Sequence, residues 1–211
     1  MKLLVIGASK GIGREVVKQA LAHGHTVRAL ARSADALAEA DGLERQVGDA
    51  TEPGDVAVAV TGMDAVIMTL GVAKNLRFLI SPVTLFSSAT KALIPAMTAA
   101  GVKRLLVVTG FGAGDSAAKL SRLESIPFRL FLGRAYADKG LQEAMVKASD
   151  LDWTIARPGI LTDNKGTGKY RVLVDPATWR QGLISRADVA HYLLEAVENG
   201  LHIHETPAIQ R

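Results

Sequence analysis

Short apolar runs alternate along the chain with segments whose apolar residues recur at helical spacing. Continuous apolar or β-branched stretches predict strands at 2–6, 26–31, 44–47, 65–68, 104–108 and 153–156. Between them, helical periodicity predicts helices over 11–23, 53–60, 82–100, 139–149 and 186–198. Ser81 and Pro82 supply a cap and a first-turn proline for the long middle helix, and Gly101 ends it. Ser185 is placed to cap the last helix, with Asp188 near its positive end. Successive βα units of this kind build an α/β fold around a parallel sheet buried on both faces. Two stretches break the alternation, 110–137 after the fifth strand and 158–170 after the sixth. In a doubly wound sheet both lie at the carboxyl ends of strands, where ligands bind. No repeat, linker or low-complexity tract divides the sequence, so one domain over 1–211 is expected, its mouth built by those two loops.

The first strand runs directly into Gly7-Ala8-Ser9-Lys10-Gly11-Ile12-Gly13 and then a helix. Strand, glycine turn and helix start together form a cradle for a dinucleotide pyrophosphate. The glycines let the backbone approach the phosphates, and the free amides of the helix start face the anion. The expected cradle is Gly7, Ser9, Lys10, Gly11, Ile12 and Gly13, in a Rossmann-type, doubly wound, mostly parallel sheet. Arg32 ends the second strand about twenty residues past the last glycine of the turn, the position that reads the adenosine ribose. An acid there would accept from the 2′-hydroxyl of NAD. Arg32 and Ser33 instead donate, with Lys10 as a second cation, so NADP(H) is expected over NAD(H). Asp49 and Ala50 follow the third strand and are candidates to meet the adenine, Asp49 alternatively being a turn former. Leu70 and Gly71, ending the fourth strand with Thr69, should pass beneath the ribose and pyrophosphate.

With 48% hydrophobic residues, the 211-residue chain can bury one sizeable core. It has no cysteine, which excludes disulfides, thiolate metal sites and cysteine nucleophiles. The net charge of +4, from 25 basic and 21 acidic residues, is scattered rather than gathered into the stripe of a nucleic-acid reader. No secretory leader is legible and no apolar run approaches the ~18 residues of a membrane span. A cytoplasmic protein is expected, acting on a small molecule without nucleic acid or membrane, as a monomer or small homo-oligomer. Histidines 23, 25, 191, 202 and 204 form no helix-spaced set with carboxylates, and His202 and His204 alternate as on a strand. No metal site is expected.

Motif order adds a family. Val47-Gly48-Asp49-Ala50, Asp64-Ala65-Val66-Ile67, Gly101-Val102-Lys103-Arg104, and Asp138-Lys139 with Glu143 follow the glycine turn. After these come Leu151-Asp152-Trp153-Thr154-Ile155-Ala156-Arg157-Pro158-Gly159 and Ile184-Ser185-Arg186-Ala187-Asp188-Val189-Ala190. Over nearly its whole length the chain resembles the atypical and extended short-chain dehydrogenase/reductases. The resemblance is to their small NAD(P)H-binding branch, which includes biliverdin reductase B (flavin reductase). Lys10 stands where that branch often has a middle glycine, so the turn looks more like that of the wider reductase family. The resemblance implies NADP(H) at Arg32, Lys139 on the nicotinamide ribose, and Pro158, Gly159 and Ile160 running past the nicotinamide.

Many short-chain reductases protonate the product alkoxide with Ser, Tyr and Lys, in a Tyr-x-x-x-Lys spacing. With Lys139 as that lysine, the tyrosine position holds Ala135, and Tyr136 falls three residues before the lysine. The serine position falls on Gly110, preceded by Thr109. Residues three and four apart share a helix face, so Tyr136 stays a candidate acid beside Thr109 and Lys139. A simple ketone needs a positioned acid, whereas a flavin, a quinone or a tetrapyrrole delocalises the charge it receives. The expected activity is therefore NADPH-dependent reduction of a conjugated acceptor. The alternative is an NADP(H)-binding redox sensor without turnover. A sugar-nucleotide epimerase would normally carry a larger substrate domain after Arg157. Residues 128–132, Phe-Arg-Leu-Phe-Leu, offer either the wall of a flat aromatic site or a closing lid, or else a helix packed on the sheet edge or a subunit contact.

Overall fold

The computed structural model describes residues 1–71, 83–119 and 122–211, and along 122–131 it describes the backbone. Ser81 and Pro82, the expected start of the middle helix, lie outside the described residues. The strands are β1 (Lys2–Ile6), β2 (Thr26–Ala31), β3 (Leu43–Val47), β4 (Ala65–Met68), β5 (Arg104–Val108), β6 (Asp152–Pro158), β7 (Ile160–Thr162), β8 (Arg171–Leu173), β9 (Leu183–Ser185) and β10 (Ala208–Gln210). The helices are α1 (Gly11–Ala22), α2 (Pro53–Val60), α3 (Leu85–Ala100), α4 (Arg122–Lys147) and α5 (Arg186–Glu198).

Eight strands form one sheet in the order β3-β2-β1-β4-β5-β6-β10-β8, and β7 pairs with β9 beside it. Neighbours from β3 to β10 are parallel; β8 closes the edge antiparallel to β10. The strand order reverses between β1 and β4, the switch point where a doubly wound sheet opens a crevice at its carboxyl edge.

Apolar runs form these strands because both faces are covered. Leu3 and Val5 point into the core under α1 and α5, while Leu4 and Ile6 point into the core under α2 and α3. Gly101 ends α3 in the left-handed region (φ 70°), and the Ser185 hydroxyl accepts from the Asp188 amide at the start of α5, both as the sequence predicts.

Two expectations fail. Helix α4 begins at Arg122, inside the stretch read as irregular, and carries 128–132 on helical backbone. Pro127 and Gly133 look like breakers, costing about 3 and about 1 kcal/mol in a helix interior. Tertiary burial outweighs them: Ala135, Asp138, Gln142, Glu143 and Val146 are buried along one helical stripe. His202 and His204 lie not on a strand but in left-handed turns (φ 54° and 61°) after α5. The Tyr192 hydroxyl meets His202 Nδ1 at 3.0 Å, and the His204 amide donates to the Trp153 carbonyl at 2.7 Å, which holds that turn.

Candidate functional site

The glycine turn joins β1 to α1 at the switch point. Gly7 (φ 83°) and Gly11 (φ 58°) are in the left-handed region. Gly13 is fixed by close approach: a Cβ there would stand 2.3 Å from the Gly7 carbonyl oxygen and 2.5 Å from Thr69 Oγ1. Lys10 precedes α1 with extended backbone; no side chain caps the helix and no acid occupies its first turn. The positive end of α1 therefore faces outward without an internal anion. Ile12 sends its side chain into the core, leaving its backbone to the turn. The sequence reading gave Arg186 no part here, taking its motif as a helix start. Its side chain lies 3.7–3.8 Å from where a Gly11 Cβ would be and pairs with Asp163 at 2.6 Å.

On the β2–β3 side, Arg32 is exposed just beyond β2 and Ser33 is half-buried. Asp49 Oδ1 accepts from the Thr51 amide (2.9 Å) and hydroxyl (2.8 Å), the turn-forming arrangement. Those bonds hold the Asp49 carboxyl below its usual range, and attraction from Arg32 adds to the effect. Its amide donates to Asp55 Oδ2 at 2.8 Å, so Asp49 is a braced carboxylate near the Arg32 cation. Ala50 is buried, Leu70 half-buried and Gly71 exposed. A Cβ on Gly71 would meet nothing within 4 Å, so packing among the described residues does not demand glycine there.

Beyond β5 the candidate catalytic residues do converge. Tyr136 and Lys139 sit on α4; Thr109 and Gly110 follow β5. Lys139 Nζ donates to the Thr109 carbonyl and lies 5.0 Å from the Phe86 ring centre and 5.3 Å from that of Tyr136. Burial pulls the lysine down to about 8, with Glu143 opposing. Burial also pushes the Tyr136 phenol up to about 12. Gly110 (φ 153°) makes room for that phenol: a Cβ would stand 2.6 Å from its oxygen. The serine of the usual triad is thus sterically replaced by the tyrosine hydroxyl itself.

Behind these residues lies a buried ionic network. The Thr109 hydroxyl donates to Glu143 Oε1 at 2.7 Å, and Arg157 spans both Glu143 oxygens at 3.1 and 2.5 Å. Arg157, wholly buried, also pairs with Asp115 and lies 4.8 Å from the Trp179 ring. Asp138 accepts from the Phe86 and Ser87 amides at the start of α3, tying the Lys139 region of α4 to that helix. Sequence reasoning noted Glu143 and Arg157 only as motif members. Their pairing is a contact across the fold that no local pattern carries.

The stretch past β6 is more constrained than expected. The Pro158 carbonyl accepts from Phe111, Gly159 donates to Ile209 at 3.0 Å, and Ile160 donates to Gly182 at 2.8 Å. Both available amides of Pro158-Gly159-Ile160 are thus engaged within the sheet.

A family model described as NAD(P)H-binding matches residues 7–200, from the first glycine of the turn to beyond α5. The chain belongs to this family. Its branch is the small, short-chain-reductase-like one that the motif order indicated. YhfK of Bacillus subtilis strain 168, described as an uncharacterised sugar epimerase, is 31% identical over 202 residues, 94% of this chain and 88% of that one. Among solved structures, the anaerobillin reductase ChuY of Escherichia coli O157:H7 superposes with a TM-score of 0.83 at 29% identity, covering 100% of this chain and 97% of that one. SP1627 of Streptococcus pneumoniae TIGR4, described as "a putative NADH-flavin reductase", gives 0.77 at 26%, covering 100% and 99%. Among the described residues, no helix is long and apolar enough to cross a membrane.

Proposed function

We propose that this protein is an NAD(P)H-dependent oxidoreductase that passes hydride to a conjugated acceptor such as a flavin or quinone, with NADPH preferred. One domain carries both the cofactor cradle and, in the loops near 110–137 and 158–170, the acceptor mouth. The residues fit the dinucleotide: an uncapped helix start, a Gly13 that brings α1 against β1, and, among the described residues, open space at Gly71. Gly7, Ser9, Lys10, Gly11, Ile12 and Gly13 would hold the pyrophosphate, Arg32 and Ser33 the adenosine 2′-phosphate, and Asp49 and Ala50 the adenine. Leu70 and Gly71 would underlie the ribose, with Thr109 and Lys139 at the nicotinamide ribose and Pro158, Gly159 and Ile160 alongside the ring. Because both amides of that last stretch are engaged, contact there would fall to carbonyl and side-chain surface. Bound NADPH would supply the hydride.

The acceptor class rests on one observation, the Tyr136 phenol packed against Gly110 and pushed up to about 12. Efficient general acids have pKa values near working pH, and burial moves this phenol away from that range rather than toward it. Lys139 uses one of its three donors on the Thr109 carbonyl and keeps the others for the ribose. Its part is to orient: it holds the end of β5 against α4 and presents a donor to the ribose. An acceptor that spreads its charge and takes its proton from water suits this site. The test is NADPH oxidation against flavins, quinones, tetrapyrroles and aldehydes. Turnover of conjugated acceptors with little of aldehydes supports the proposal; an aldehyde or ketone preference overturns the acceptor class, and binding without turnover makes the protein a redox sensor.

A further inference from the structure

At the end of the sheet opposite the nucleotide cradle, two neighbouring histidines meet a glutamate distant in sequence. His23 Nδ1 lies 2.9 Å and His25 Nε2 2.6 Å from the same oxygen, Oε1 of Glu198. His23 is the residue that ends α1, His25 leads into β2, and Glu198 is the last residue of α5. We propose that His23, His25 and Glu198 bind a divalent transition-metal ion of the zinc type, which clasps the end of α1 to the end of α5.

Three independent features carry this. The first is the donor set: two imidazole nitrogens and a carboxylate oxygen lie within 4.8 Å of one another, and nitrogen–oxygen sets of this kind are ordinary zinc ligands. The second is spacing. Zinc held at about 2.0–2.1 Å by each donor separates neighbouring donors by about 3.3 Å, so each imidazole nitrogen need part from the Glu198 oxygen, now at 2.9 and 2.6 Å, by less than about 1 Å. His23, whose side chain is 41% exposed, has room to turn and leaves a water-accessible fourth position. The third is the field. Two helices end here, and a helix carries about half a negative charge at its carboxyl end. Neither α1 nor α5 has a basic residue in its last turn to offset it. A cation at this point is favoured by both helix ends and by the Glu198 carboxylate between the two imidazoles.

The Met1 amino group stands 3.3 Å from His25 Nδ1, the nitrogen turned away from Glu198. Binding forms no covalent bond beyond the ligand contacts. The dinucleotide cradle lies at the other end of α1, so the clasp is independent of the proposed reduction.

The experiment titrates untagged full-length protein with zinc chloride alone by calorimetry, beside Glu198→Gln and His23→Ala. Circular dichroism confirms that each variant is folded. The expected result is one zinc per chain, at least about ten-fold weaker binding in each variant, and a thermal midpoint that zinc raises in the native protein only. Cobalt substitution gives a second readout, a tetrahedral visible spectrum in the native protein that each variant loses. Absence of zinc binding to the native chain, or binding that survives both substitutions, overturns the proposal.

Discussion

Gly13→Ala is the sharpest perturbation of the cradle. The added methyl would stand 2.3 Å from the Gly7 carbonyl oxygen and 2.5 Å from Thr69 Oγ1, while a relaxed carbon–oxygen contact needs about 3.3 Å. Neither neighbour can yield cheaply. Gly7 is backbone at the end of β1, and Thr69 Oγ1 is bonded to the Ile6 carbonyl at 3.0 Å. The start of α1 must therefore retreat from β1 by about 1 Å, at an overpacking cost of about 1–3 kcal/mol in stability. The same retreat would stretch a 2.9 Å amide–phosphate bond past the range of a hydrogen bond. Bonds to charged groups contribute about 1.5–3 kcal/mol each, so losing one weakens NADPH roughly ten- to a hundred-fold. Gly54→Ala is the control, since a Cβ there meets nothing within 4 Å and the site is on α2. Fluorescence titration with NADPH and urea denaturation of both variants separate binding from folding. NADPH affinity in Gly13→Ala within about two-fold of the native value, less than half a kcal/mol, would refute this placement of the phosphates.

Other outcomes follow from the same geometry. Arg32→Ala should weaken NADPH roughly ten- to a hundred-fold and spare NADH, as loss of one charge-assisted bond implies; equal losses in calorimetry would remove Arg32 from the 2′-phosphate. Tyr136→Phe should lower flavin or quinone reduction by less than about ten-fold, under ~1.4 kcal/mol of barrier, and a fall of about a thousand-fold with binding intact would make Tyr136 a true acid. Lys139→Ala should raise the KM for NADPH more than it lowers kcat. NADPH binding to the native protein should weaken as pH rises through about 8, where Lys139 loses its charge, and this step should vanish in the variant. The stability effect has the opposite sign. The folded protein holds Lys139 below its ordinary 10.5, so it binds fewer protons than the unfolded chain between about 8 and 10.5. Over that window Lys139 contributes a rise of stability with pH, which denaturation of Lys139→Met should lack.

Strands β1 to β6 and the glycine turn were legible because they are local, whereas β7 to β10, three residues each, are too short to show a pattern. A strand buried on both faces reads as an apolar run, and the glycine turn is continuous from Gly7 to Gly13. The first half of α4 was not, because Pro127 and Gly133 argue against helix and only packing of the Ala135–Val146 stripe overrules them. The site's remaining features are contacts between distant segments: Gly110 against the Tyr136 hydroxyl, Arg157 on Glu143, Arg186 over Gly11. The His23–His25–Glu198 cluster joins residues 175 and 173 positions apart, and a search for helix-spaced ligands could not find it. Gly110 was noticed as a missing serine, yet the reason it is glycine lies in the space the phenol fills.

The central claim is that hydride leaves NADPH on this protein for an acceptor that needs no strong acid from it. Single-turnover reaction of the NADPH complex with excess flavin measures this directly, using NADPH with and without deuterium at the transferable position. The account predicts fast oxidation, slowed by deuterium, and little changed in Tyr136→Phe. A complex that forms normally but transfers hydride to no flavin, quinone or tetrapyrrole would contradict it.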